Sequence, residues 1–182
     1  MNVWLQGALI AAVIGTFSPA AAEQATGPSE HQVKAAMLYN FAKFVEWPDD
    51  VFTGPAAPLT IGILGADPFG RDIDAVAART IKGRPVEVRR FRKSEDVTYC
   101  HILFVGSLPE GQAAAHIRNL RRRGMLLVGD REQFIRQGGM INFLIKDDAV
   151  SFEVNVEAVQ GAGMRIHPRV LNMARIVHEQ AP

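Results

Sequence analysis

Hydrophobic positions along this chain alternate between helical spacing and short strand-like runs. Ser29 and Gln32 form a capping box in front of apolar residues at helical spacing, which predicts a first helix that ends at Trp47 and Pro48. Later runs predict strands at 59–64, 86–91, 101–105 and 125–128, with helices at about 67–78 and 110–122. This alternation predicts βαβ units and a largely parallel sheet.

The C-terminal third predicts a β-hairpin and a final helix. Residues 140–145 are mostly large and apolar, Asp147 and Asp148 suit a tight turn, and residues 150–156 alternate between apolar and polar. Pro168 then begins a helix that we expect to extend to about Val177. The predicted fold is a single α/β domain. It has a mixed, mostly parallel sheet of about six strands flanked by helices, followed by a C-terminal β-hairpin and a final helix.

Length and charge exclude some classes of protein. A chain of 182 residues is long enough for one domain with its own core. The 20 Lys and Arg residues nearly balance the 19 Asp and Glu residues, so no global field indicates a nucleic-acid partner. The single cysteine, Cys100, excludes an internal disulfide.

The N-terminus resembles a secretory signal peptide. An apolar run at 7–17 is followed by Ala20 and Ala22 in a small-x-small pattern, which predicts cleavage after residue 22. The alternative is a membrane anchor, but the run is too short to span about 30 Å of hydrocarbon as a helix. The usual Lys or Arg near the start is missing. We expect a signal peptide at 1–22, a tether at 23–28 and a folded domain at 29–180, located in the periplasm.

No catalytic motif of the chain is complete. The Gly65 to Gly70 spacing suits a phosphate loop, but Arg71 and Asp72 stand where Lys and Ser or Thr are required, and the carboxylate would repel phosphate. Cys100 and His101 are adjacent on a predicted strand and point to opposite faces, so they cannot form a dyad. The five histidines lack paired ligand spacing. We therefore expect no enzyme activity, no cofactor and no metal.

Basic residues cluster between positions 79 and 93. The cluster has two interpretations: a solvated strand edge that prevents aggregation, which we favour, or a surface for an acidic partner or anionic ligand. Its members are Arg79, Lys82, Arg84, Arg89, Arg90, Arg92 and Lys93.

Four polar residues near the C-terminus form a candidate ligand-binding group. Arg165 and His167 lie two positions apart in an extended stretch and should point the same way, and Glu153 lies on the face of its strand opposite Phe152. If the final helix folds back on the hairpin, Arg175 joins them in a small anion-binding pocket. The same residue types also form ordinary surface ion pairs, so the sequence leaves both interpretations open.

Several sparse motifs occur in order over most of the chain after the predicted cleavage site. The motif residues are Lys34, Asn40, Phe41, Trp47, Pro48, Gly65, Pro68, Phe69, Gly70, the stretch 100–104, Gly138, Gly139, Phe152, Glu153, Asn155 and Leu171. Taken together, these motifs resemble the YfiR family. The resemblance implies a periplasmic α/β protein that represses an inner-membrane diguanylate cyclase by binding the periplasmic sensor domain of that cyclase, and so controls biofilm formation through cyclic di-GMP. It also implies relief by an outer-membrane lipoprotein, the capacity to form homodimers, and small ligands near the C-terminal polar residues.

One feature departs from the family. Redox-sensitive members use cysteine pairs, whereas this chain has only Cys100, so an internal disulfide switch is not available to it. We expect an exported, non-enzymatic repressor. The alternative is a periplasmic module that senses or binds a small anionic solute for a sensor kinase or a transport system.

Overall fold

The computed structural model describes residues 27–106, 113–147 and 149–178. The predicted signal peptide at 1–22 and most of the tether lie outside the described residues. The helices are α1 (Glu30–Phe44), α2 (Arg71–Ala77), α3 (Ala113–Leu120), α4 (Val156–Gly161) and α5 (Pro168–Leu171). The strands are β1 (Val45–Glu46), β2 (Leu59–Leu64), β3 (Thr80–Ile81), β4 (Arg84–Phe91), β5 (Ile102–Val105), β6 (Leu126–Gly129), β7 (Ile141–Lys146), β8 (Ala149–Asn155), β9 (Arg165–Ile166) and β10 (Arg175–Val177).

The main sheet is mixed and mostly parallel. Its order across the described residues is β10-β8-β7-β6-β5-β2-β4-β3, and only the β7–β8 and β3–β4 pairs are antiparallel. A separate antiparallel pair joins β1 to β9. Strands β2, β5 and β6 are buried along their whole length, as expected for parallel strands covered on both faces. The predicted α/β class, the mixed sheet and the C-terminal hairpin are confirmed, with eight strands in the sheet rather than about six.

The final helix is shorter than the sequence pattern predicted. It ends at Leu171, and residues 175–177 instead form β10, which pairs in parallel with β8. Ile176 and Val177 are β-branched, which favours a strand over a helix. The outer edge of β8 also offers unpaired backbone groups that this segment can satisfy. The difference therefore has both a local and a long-range cause.

Helix α1 covers the hairpin end of the sheet. Phe41 is 1% exposed, and its ring centroid lies 5.9 Å from that of Phe143 and 5.1 Å from that of Phe152. The N-terminal capping box is present, with Ser29 Oγ accepting from the Gln32 amide and Gln32 Oε1 accepting from the Ser29 amide. The first helix is thus fixed both by a local cap and by aromatic packing against β7 and β8.

Candidate functional site

A row of polar side chains crosses the outer strands of the sheet. The strand register aligns Asn142 of β7 with Glu153 of β8, and Glu153 with Arg175 of β10. Residues in one row point to the same face, here the face opposite Phe143 and Phe152. We call Asn142, Glu153 and Arg175 the polar row.

Hydrogen bonds connect the members of the polar row. The Arg131 backbone amide donates to Asn142 Oδ1 at 3.1 Å, and Asn142 Nδ2 donates to Glu153 Oε1 at 3.2 Å. Arg175 Nη2 donates to Glu153 Oε2. Asn142 is 2% exposed and Glu153 8% exposed, so the carboxylate is buried, and burial of a charge requires this kind of pairing.

Arg175 connects the polar row to the protein surface. Its side chain is 66% exposed although it pairs with the buried Glu153. A guanidinium carries five N–H donors, so an exposed one can bind a further acceptor while it keeps its ion pair. The edge of the sheet therefore presents the Arg175 guanidinium to solvent, and the buried Glu153 carboxylate holds it in place.

Arg165 and His167 do not belong to the polar row and have other hydrogen-bond partners. Arg165 Nε donates to Glu46 Oε2 at 3.2 Å across the β1–β9 pair, and the Arg165 side chain is 82% exposed. His167 Nδ1 accepts the Arg169 amide at 3.2 Å and so caps α5. The structure thus brings Glu153 and Arg175 together, places Arg165 and His167 elsewhere, and shows Arg175 on a strand rather than a helix. The predicted role of all four in ligand binding remains a prediction.

A cavity of about 560 Å³ adjoins Arg165. Acidic and basic groups both reach it, and Trp47 supplies an aromatic wall. The lining residues are Glu46, Trp47, Pro48, Asp49, Gln160, Gly163, Met164 and Arg165.

Sequence reasoning missed a buried ion pair beneath α1. Lys34 is 2% exposed, and its Nζ lies 2.6 Å from Glu30 Oε1 and 2.8 Å from Asp130 Oδ2. Burial alone would lower the pKa of Lys34, but the hydrogen bonds and charges of Asp130 and Glu30 outweigh it and raise that pKa. The i,i+4 spacing of Glu30 and Lys34 could have predicted their ion pair from the sequence. No spacing in the sequence indicates that Asp130 joins them.

In the glycine-rich loop after β2, two of the amides that could face a phosphate are already engaged. Asp67 Oδ1 accepts the amides of Phe69 at 2.8 Å and Gly70 at 3.1 Å, and its Oδ2 pairs with Arg90 at 2.7 Å. A carboxylate of the chain itself therefore fills the place of a bound anion. This arrangement agrees with a structural role for the glycines in the turn.

Cys100 has the properties of a buried apolar residue. It is fully buried and unpaired, and burial raises the pKa of its thiol to about 11. A Cβ on Gly62 would lie 2.6 Å from Cys100 Sγ, so the thiol fills space that only a glycine leaves free. A thiol that stays protonated at neutral pH is a poor nucleophile.

Several side chains of the basic cluster at 79–93 bind partners within the protein itself. Arg90 also pairs with Asp74 at 2.8 Å, and Arg89 pairs with Glu87 at 2.9 Å. Arg84 Nη1 donates to backbone carbonyls rather than to a carboxylate. These contacts support the interpretation of the cluster as an edge that is stabilised by its own ion pairs.

The fold defines the class of a single α/β domain with a mixed, mostly parallel sheet. Within residues 27–106, 113–147 and 149–178, no group of three or more His, Cys, Asp or Glu side chains is placed to hold a metal ion. None of the helices in the described residues is long and apolar enough to cross a membrane.

The chain belongs to the YfiR/HmsC-like family, whose model matches residues 31–175. The family assignment indicates a regulator of cyclic di-GMP signalling rather than a known enzyme, and proteins of this family are periplasmic.

Proposed function

We propose that this protein is an exported, non-enzymatic regulator that represses an inner-membrane diguanylate cyclase by binding the periplasmic sensor domain of that cyclase. The family match carries the proposal, because it extends over residues 31–175, from the first turn of α1 to the start of β10. An outer-membrane lipoprotein that relieves repression and a homodimeric state belong to the same proposal.

The β10 edge of the sheet is the surface that we propose for the sensor domain. Met173 is 65% exposed and Ile176 40% exposed, and both flank the exposed Arg175. Exposed Met and Arg beside apolar side chains are the composition of the centres of protein interfaces. The Glu153–Arg175 contact holds this edge in place, which lowers the entropic cost of binding.

Binding of the purified protein to the sensor domain of a diguanylate cyclase from the same genome tests the proposal. Met173→Asp and Ile176→Asp should each weaken binding by at least tenfold, about 1.4 kcal/mol, because each places a charge in an apolar contact. Ile145→Asp is the matched control, since Ile145 is 54% exposed but lies at the far end of the hairpin. Deletion of the gene should raise cellular cyclic di-GMP. Absence of binding together with unchanged cyclic di-GMP would refute the proposal.

A second candidate function is sensing or binding of a small anionic solute for a sensor kinase or a transport system. The observation that favours it is the cavity of about 560 Å³ beside Arg165, whose guanidinium is largely exposed. In this proposal Arg165 contacts the anion from the cavity wall, and His167 contributes from the neighbouring N-cap of α5, outside the lining residues. Arg175 and Glu153 form a second group at the edge of the sheet.

Calorimetric titration with inorganic phosphate and citrate tests the second candidate. Arg165→Ala and His167→Ala should each weaken an anion by roughly 10- to 100-fold, the effect of losing one charge-assisted hydrogen bond of about 1.5 to 3 kcal/mol. The Arg92→Ala variant is a control, because Arg92 is exposed and distant in sequence from the cavity. If wild type binds neither anion, the second candidate loses its support.

A further inference from the structure

The imidazole of His101 is buried in its neutral form. His101 is 4% exposed, and its Nδ1 accepts the Thr60 backbone amide at 3.0 Å. An Nδ1 that accepts a hydrogen bond carries no proton, so the proton of the neutral ring is on Nε2. Nε2 is buried and has no hydrogen-bond partner within the described ranges of the chain. The site therefore fits the neutral imidazole, and the described residues supply no hydrogen-bond acceptor for a protonated one.

A short segment of the chain, residues 47–52, closes over this imidazole. The Phe52 ring stacks on His101 at 4.4 Å between centroids, and Trp47 approaches edge-on at 6.1 Å. Trp47 Nε1 also donates to the His101 carbonyl at 3.3 Å. Tyr99 also lies edge-on to His101, at 5.2 Å between centroids. The aromatic rings of the 47–52 segment therefore separate the imidazole from water.

The Arg84 guanidinium lies on the other face of the Phe52 ring from His101. Arg84 Cζ is 3.8 Å from the Phe52 ring centroid, so the ring lies between the guanidinium and the imidazole. Arg84 donates to the carbonyls of Gly54 at 2.7 Å and Ala57 at 3.0 Å, which fixes it there. Burial, and then the charge of Arg84, lower the pKa of His101 to about 4.

The other charged groups around the site do not compensate a charge on His101. In the described part of the chain no carboxylate forms an ion pair or hydrogen bond with this imidazole. Burial raises the pKa of Tyr99 to about 12, so its phenol is neutral. Asp50 pairs with Arg123, Glu46 pairs with Arg165, Asp49 lines a cavity together with Arg84, and Lys82 donates to the Val45 carbonyl.

We propose that His101 is an acid switch: protonation of its imidazole releases the 47–52 segment from the sheet. A proton on Nδ1 would face the Thr60 amide proton, so two donors would meet at 3.0 Å. The new charge would also lie in an apolar site next to Arg84. Both penalties vanish when the segment opens, because the ring can then turn away from the Thr60 amide into water.

The direction and size of the effect follow from linkage. In the open state the imidazole titrates near 6.5, whereas in the closed state its pKa is about 4. Closure is therefore unaffected above about pH 6.5 and weakens as the pH falls, by about tenfold per pH unit until about pH 4. The ratio of closed to open molecules falls by roughly 300-fold over this range.

Opening of the segment has a consequence for the surface next to it. Val45 and Glu46 precede the segment directly and hold β9 through the β1–β9 pair, which includes the contact of Glu46 with Arg165. Release of Trp47 removes one wall of the cavity beside Arg165. The switch thus couples acidification to the geometry of this cavity.

Tryptophan fluorescence of the full chain tests the switch. The chain has two tryptophans, Trp4 and Trp47, so a Trp4→Phe background makes Trp47 the only emitter. We expect a red shift of its emission between pH 7.5 and pH 4 with unchanged far-UV circular dichroism. His101→Asn should abolish the shift, because asparagine offers an acceptor to Thr60 but does not titrate. His31→Gln is the matched control: His31 is exposed on α1, and its removal should leave the shift intact.

Three results would overturn the switch: constant Trp47 emission down to pH 4, the same shift in His101→Asn, or a shift that coincides with loss of secondary structure. If His101→Asn does not fold, hydrogen exchange of the Thr60 amide in wild type decides. Its protection should fall along the same pH curve as the Trp47 emission. Retained protection at pH 4 would refute the proposal.

Discussion

Removal of the Phe41 ring is the most direct test of how α1 is attached to the sheet. The ring is 1% exposed and packs against both Phe143 and Phe152 on the hairpin. Phe41→Ala leaves a cavity that rigid neighbours on two paired strands cannot close. We therefore expect the free energy of unfolding to fall by about 3 to 5 kcal/mol.

Urea denaturation followed by circular dichroism measures this loss. For a domain of this size each kcal/mol corresponds to about 2 to 4 °C, so the melting temperature should fall by roughly 6 to 20 °C. Phe44→Ala is the matched control, because Phe44 is on the same helix but only half-buried, and its loss should be clearly smaller. A loss below about 1 kcal/mol for Phe41→Ala would mean that this helix face is open to solvent or to a partner.

Three further predictions concern other parts of the chain. Cys100 should react with a thiol reagent at pH 8 only after denaturant unfolds the protein, since burial raises its pKa to about 11; rapid reaction of folded protein would contradict this. Asp67→Asn should destabilise the protein at pH 7. Burial alone would raise the pKa of Asp67, but the hydrogen bonds from Arg90 and two loop amides outweigh it and lower that pKa below 3.8. The difference from wild type in urea titrations should shrink as the pH falls below that value. Mass spectrometry of a periplasmic extract should find an N-terminus at Glu23, whereas protein that retains Met1 in the cytoplasm would contradict export.

Features with local causes were the ones that the sequence predicted well. The Ser29 and Gln32 capping box depends on residues three apart, and the structure shows both of its hydrogen bonds. The β7–β8 hairpin follows from apolar alternation around a short turn, and it pairs in the expected antiparallel register. In both cases the residues that determine the geometry are close together in the chain.

Features that depend on distant residues were not predictable from spacing. Lys34 and Asp130 are 96 positions apart, and only the packing of α1 near the end of β6 brings them together. Likewise, residues 175–177 have a pattern that fits the end of a helix, but the open edge of β8 makes them a strand. A sequence pattern contains no information about which edge of a sheet will be free.

The four C-terminal polar residues show how a predicted contact can exist for a different reason. Arg175 meets Glu153 through the register of β10 on β8, not through a helix folding back on the hairpin. Arg165 and His167 have different partners, because Arg165 pairs across the β1–β9 strands and His167 caps α5. The charged groups are thus divided between two surfaces, an edge held by a buried carboxylate and a cavity bordered by Trp47. Because Trp47 is also held by the His101 carbonyl, acid release of the 47–52 segment would change the second surface and leave the first intact. A binding partner of β10 and a ligand of the Arg165 cavity should therefore respond differently to pH.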